Sequence, residues 1–366
     1  MLLFPQKEER SSQAERVFYV ISAQPERSQE LASLLRLAGF PHIEVITRHI
    51  TTITHLDIPA GTYGLLVDIE QDRLPEQIIT ALLALVPRSI WCGVVGDSDS
   101  ITLAQRFADH GMRYFNLYAQ RDAITEAAIN GLTLSVRRNA ISISILGCKG
   151  GAGSSYLAWQ VANRIAQLRQ VPTLMIQGAA ASQDLDLLAG KKLSQEVTSV
   201  GKHLQVMFAR QSQLPDLTSE NFLNVNFVLF EQAIHTLTKE VQRHIAEHSA
   251  CLVLVLDRSM TSIRVVRQAI ELVESINRAR QKSRRLLLCL NDVRPCTSEM
   301  LSQEDIEALL GRHIDILIPY QRKQAIAAAT QSIPQIDVLV RLILGESPAV
   351  SSSLLKRLLP MARSRK

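Results

Sequence analysis

Residues 147–155 read GCKGGAGSS; the apolar run AISISIL (140–146) precedes them and YLAWQVANRIAQLRQ (156–170) follows, with Leu157, Val161, Ile165 and Leu168 at helical spacing. Strand, glycine-rich turn, helix is the setting in which successive backbone N–H groups converge on a phosphate at a helix N-terminus. The strict spacing of such a loop is G-x-x-x-x-G-K-[ST]. With Gly153 as its second glycine, the free positions fall on Lys149, Gly150, Gly151 and Ala152, and Cys148 stands where the leading glycine belongs. Ser154 takes the place of the phosphate-gripping lysine, and Ser155 that of the hydroxyl that binds Mg²⁺. An uncharged residue at 154 removes the cation from beside the β- and γ-phosphates, the interaction most specific to transition-state charge in phosphoryl transfer. ATP binding would then rest on the backbone amides, on Lys149 and on Ser155 with Mg²⁺. It is expected to be weak, with little hydrolysis.

The elements that position this loop belong to an α/β chain built as two doubly wound parallel-sheet domains. From RVFYVIS onward, the runs HIEVIT, YGLLVDI, SIWCGVVG and RYFNLY alternate with helical stretches around 26–38, 75–85, 100–110 and 121–135. Five strands with intervening helices in about 120 residues imply a parallel sheet covered on both faces. This first unit, residues 15–136, resembles a response-regulator receiver domain of atypical kind. Asp68 falls at the phospho-acceptor position, but Ser22 and Ala23 replace the metal-binding acidic pair, Val95 or Gly96 the hydroxyl, and YFNLYAQ has no lysine. Without metal ligands, phosphorylation of Asp68 is not expected; Asp68 is read as ending a strand at the carboxyl edge of the sheet. The basic pair Arg137 and Arg138 precedes a fresh strand, which puts the boundary at roughly 134–140.

The second unit, residues 140–345, is identified by CKGGAGSS with a resemblance to the deviant phosphate loop, K-G-G-x-G-[KR]-[ST], of the MinD/ParA family of dimerising ATPases. The resemblance implies that Lys149 is the signature lysine reaching across a homodimer. It also implies that Asn291, ending the apolar run LLLCLN, reads the adenine ring. Other family positions have changed: Gln177 and Ala179 replace a D-x-D-like pair, and in VNFVLFEQA Glu231 replaces an aspartate and Ala233 a proline. Asp184 and Asp186 are expected in a surface loop or helix start rather than in the site. The segment HIDILIPYQRKQAIAAATQSIP, 313–334, resembles the closing strand and helix of the family.

An atypical receiver joined to such a domain resembles the TadZ/CpaE group of Flp (Tad) pilus assembly proteins. That resemblance implies a polar localisation scaffold partnered by the pilus secretion ATPase and the inner-membrane platform proteins. The competing expectation is an active ATPase cycling between monomer and dimer on membrane or DNA. It draws on Lys149 and on the tail 346–366, whose SSSLLKRLLPMARSRK could set a leucine face against acidic lipid, although Pro360 interrupts it.

Bulk properties fit either. In 366 residues, 46% hydrophobic and 20% charged, no apolar run approaches bilayer length, so a cytoplasmic protein with at most peripheral membrane contact is expected. A net charge of +5 is mild, and nucleic acid is not expected as a partner. The cluster NRARQKSRR at 277–285 is read as a solvated helix end and turn. Five cysteines without paired spacing are read as reduced thiols.

Overall fold

A computed structural model describes residues 17–346 except 60–61, 72–73, 131–139, 194–195, 218, 220–221, 223, 281–283 and 322–332. In chain order its first part comprises β1 (Val17–Ser22), α1 (Pro25–Leu37), β2 (His42–Thr47), β3 (Gly64–Asp68), α2 (Pro75–Leu85), β4 (Trp91–Gly96), α3 (Ile101–Ala108), β5 (Arg113–Asn116) and α4 (Arg121–Asn130). All neighbouring strands pair in parallel, in the order β2-β1-β3-β4-β5, which is the flavodoxin-like doubly wound order. Period-two alternation divides each strand between two cores. Tyr19 and Ile21 face one layer with Ile78, Leu82 and Phe107, while Phe18 and Val20 face the other with Leu31 and Ile124. Helix starts follow local chemistry: prolines open α1 and α2, and the Ser100 side chain accepts from Leu103 N to cap α3.

The second part runs β6 (Ile141–Gly147), α5 (Ser154–Arg169), β7 (Thr173–Gln177), α6 (Leu185–Ala189), β8 (Thr198–Ser199), β9 (Leu204–Phe208), β10 (Phe227–Ala233), α7 (Lys239–His248), β11 (Cys251–Leu256), α8 (Met260–Arg280), β12 (Arg285–Asn291), α9 (Gln303–Leu310), β13 (Ile316–Ile318) and α10 (Pro334–Leu344). Its strands lie in the order β13-β12-β11-β6-β10-β7-β9-β8, parallel except for the short edge pair β8–β9. The central strands are buried along almost their whole length, as expected of a parallel sheet covered on both faces. This order seats β10 between β6 and β7, so the carboxyl ends of those three strands meet at one point of the sheet edge.

The two sheets touch. Asn226, just before β10, donates from Nδ2 to the carbonyls of Leu83 (3.1 Å) and Val86 (2.7 Å) at the end of α2. Arg88 Nη1 in return donates to the Val225 carbonyl at 2.9 Å, and Ala84 packs into the core of the second sheet.

The basic cluster ends α8 and leads into β12, with Arg285 exposed and Arg284 half-buried. Arg284 Nη1 donates to Ser249 O and Arg285 Nη1 to Ile343 O, each at 2.7 Å, so both guanidiniums close carbonyls of neighbouring elements. Arg278 is exposed. The strand β9, next to the short edge strand β8, was not among the expected elements. Residues 1–16, most of the expected boundary, the helical part of 313–334 and the tail 347–366 lie outside the described residues. No helix among the described residues is long and apolar enough to cross a membrane.

Candidate functional site

The glycine loop joins β6 to α5 at the carboxyl edge of the larger sheet. Its path needs left-handed backbone at Gly151 (φ 78°) and Gly153 (φ 81°). Gly153 has a second reason to lack a side chain, because a Cβ there would stand 2.5 Å from Asn291 Nδ2. That amide donates to the Ala152 carbonyl at 2.8 Å, which clamps the loop to the end of β12.

Two further side chains hold the loop. Ser154 Oγ donates to Glu231 Oε1 at 2.9 Å. Lys149 Nζ donates to Asp257 Oδ2 at 3.0 Å, so the expected trans-acting lysine is paired within its own chain. Asp257, just after β11, also accepts from Ser259 N (3.1 Å), Ser259 Oγ (2.5 Å) and Ser262 Oγ (2.7 Å). Burial pushes its carboxyl up, but hydrogen bonds from Ser259, Ser262 and Lys149 outweigh that and hold it at about 2.

Glu231 sits opposite Gln177 in the β10–β7 register, and Gln177 Nε2 donates to Glu231 Oε2 at 3.0 Å and to Asp184 Oδ1 at 3.0 Å. Ser182 Oγ donates to Asp184 Oδ1 at 2.5 Å and lies 2.7 Å from Ser155 Oγ. Asp184 does precede a helix, α6, yet its carboxylate belongs to this network, which corrects the expectation that it lies apart from the site. Asp186 is in the first turn of α6, where its carboxylate accepts from Leu187 N. Only 1% of Glu231 is exposed, and burial pushes its carboxyl above the ordinary range against the hydrogen bonds from Gln177, Ser154 and Ser155. Burial also pushes the Cys148 thiol up, so it is no nucleophile. Beside Gly153 and Asn291 a cleft of ≈ 120 Å³ is lined by Tyr156, Val293, Pro319 and Tyr320.

The smaller sheet has its own buried acid at the same edge. Asp68 is fully buried and ends β3. It accepts from Arg27 Nε (2.7 Å) and Nη2 (2.6 Å), from Ser22 Oγ (2.8 Å) and from Glu70 N (3.0 Å). Arg27 Nη1 continues to Asp97 Oδ1 at 2.7 Å. Hydrogen bonds from the guanidinium to Asp68 raise the pKa of Arg27, against the opposing effect of burial. The expectation for Asp68 named no partner. One signal was legible: Arg27 stands in the first turn of α1, where the helix dipole disfavours a cation, so another group must hold it.

No protein-family model matches the sequence, and no curated protein sequence is similar to it. Among solved structures, the chain is similar to the MinC:MinD cell division protein complex of Aquifex aeolicus (19% identity, 62% of this chain and 100% of that one, TM-score 0.43). It is also similar to a ParA family ATPase from Chlorobium tepidum (18%, 57% and 93%, 0.39). A third likeness is to the septum site-determining protein MinD of Pyrococcus horikoshii, solved with Mg-ADP (12%, 56% and 94%, 0.41).

Proposed function

We propose that this chain is a docking and localisation scaffold of the TadZ/CpaE type, serving a Flp (Tad) pilus secretion machine, in which the phosphate loop has become a structural element. The sequence resemblance supports this reading. One observation carries the loss of the engine: Ser154, at the lysine position, donates to Glu231 inside a network closed by Gln177, Ser182 and Asp184.

A Mg²⁺-bound triphosphate does not fit this set. Where it would need cations, Glu231 and Asp184 present carboxyl groups, Lys149 is taken by Asp257, and the Ser155 hydroxyl is paired with Ser182. Ordinarily, phosphates order such a loop by accepting its donors. Here Glu231 on β10, Asn291 at the end of β12 and Asp257 just after β11 hold it, so its shape does not depend on a ligand.

On this reading residues 15–136 form an atypical receiver-like domain that binds proteins, 140–345 a MinD/ParA-like ATPase-type domain with a deviant phosphate loop, and 346–366 a basic tail. The flavodoxin-like strand order supports the first assignment. The partners would be a second copy of the chain, the secretion ATPase and the membrane platform. Steady-state phosphate release from the full chain with Mg-ATP, beside Lys149→Ala, is the test. Both should stay at background, and tagged protein should keep its polar foci in the variant. Turnover that vanishes in Lys149→Ala would establish the cycling ATPase instead.

A further inference from the structure

Outside both carboxyl edges, the stretch RHIAEH (243–248) places His244 and His248 four residues apart on α7. Residues at that spacing share one helix face. Here the two rings lie with centroids 4.3 Å apart and planes 29° from parallel. The helix is anchored beneath them by Ile245 and Ala246, which are buried, while His248 is exposed and His244 half-buried.

The chemistry of the two rings is set by the backbone. His248 Nδ1 lies 2.8 Å from the His244 carbonyl, which can only accept, so Nδ1 carries the proton and Nε2 keeps its lone pair. A backbone carbonyl fixing one nitrogen while the other faces outward is the usual support of a metal-binding histidine. His244 Nδ1 is buried without a hydrogen-bond partner.

We infer that His244 and His248 form a solvent-open site for a divalent transition-metal ion of the imidazole-preferring class, Zn²⁺, Ni²⁺ or Cu²⁺. Such ions take imidazole nitrogen at about 2.0–2.1 Å. Among the described residues no group of three or more His, Cys, Asp or Glu is placed to hold a metal. The site is therefore a two-ligand chelate whose remaining positions fall to water, distinct from a closed structural cage.

Isothermal titration of the full chain with Ni²⁺, and separately with Zn²⁺, tests this. One ion per chain should bind, and His248→Gln should weaken it about tenfold or more, since even loss of a supporting partner costs that much. His248 is the exposed last residue of α7, and a melting curve of the variant checks that the fold is kept. Cys296→Ser, which removes the exposed thiol, should leave binding unchanged. Absence of binding in the parent, equal affinity in His248→Gln, or a matching loss in Cys296→Ser would each overturn the assignment.

Discussion

Both sheets bury a carboxyl group at their carboxyl edge, and they treat it in opposite ways. Asp68 meets a guanidinium through two nitrogens and two further donors, and the same Arg27 reaches Asp97. Glu231 meets a hydroxyl and an amide, with Asp184 close by and no cation among its hydrogen-bond partners. The first site is a saturated ion triad. In the second, burial disfavours the ionised form and pushes the carboxyl above its ordinary range. The partners differ in kind: Asp68 has its oxygens committed to an internal cation, whereas Glu231 has a hydroxyl and an amide and, among the described residues, no cation in hydrogen-bond contact.

The widest test of that contrast is Arg27→Met. Removing one partner of a buried pair strands the other, at a typical cost of about 3–5 kcal/mol. Unfolding in urea, followed by Trp91 fluorescence in a Trp159→Phe background, should show a loss of that size in the smaller sheet. Adding Asp68→Asn should recover much of it, since the stranded charge is gone. A loss below about 1 kcal/mol would mean that water reaches Asp68 and that the two sites differ less than their burial implies.

How far these sites could be read beforehand follows from sequence distance. Alternation of apolar strands with amphipathic helices is local, so the two parallel sheets and the loop 147–155 were legible, down to the bounds of α1 and α2. The pairings were not. Ser154 and Glu231 are 77 residues apart and Arg27 and Asp68 are 41 apart, and they meet only because of strand order. Nothing local states that β10 enters between β6 and β7 and sets Glu231 beside Gln177. Reading position by position showed what Glu231 and Gln177 had replaced. It did not show that the replacements bond to each other, nor that Asp257 had taken Lys149. Strand β9 escaped because, with Gln205 among its residues and only the two-residue β8 beyond it, it lacks the continuous apolar run of the central strands.

A smaller effect is expected where the two regions join. Asn226→Ala removes two hydrogen bonds to the end of α2 and leaves the carbonyls of Leu83 and Val86 without that donor. A cost of about 1–3 kcal/mol is expected. Because Asn226 precedes the strand that carries Glu231, the Trp91 and Trp159 signals should separate in the variant more than in the parent. Unchanged superposition of the two transitions would show that Arg88 and Ala84 suffice to couple the sheets.

The least change is expected from Glu231→Gln, and its value lies in the pH dependence. A carboxyl whose folded pKa is raised takes up a proton on folding between its ordinary value and the raised one. Stability then falls as pH rises through that window, by about 1.4 kcal/mol per pH unit for one proton. Glutamine reproduces the protonated form: its carbonyl can accept from Gln177 Nε2, and its amide can donate to Ser154, whose hydroxyl turns to accept. At low pH the variant should match the parent within about 1 kcal/mol. As pH rises the parent should lose stability and the variant should not, so their urea midpoints cross or diverge in favour of glutamine. Parallel pH profiles for parent and Glu231→Gln would show that Glu231 is ionised, and with it that a cation reaches the loop.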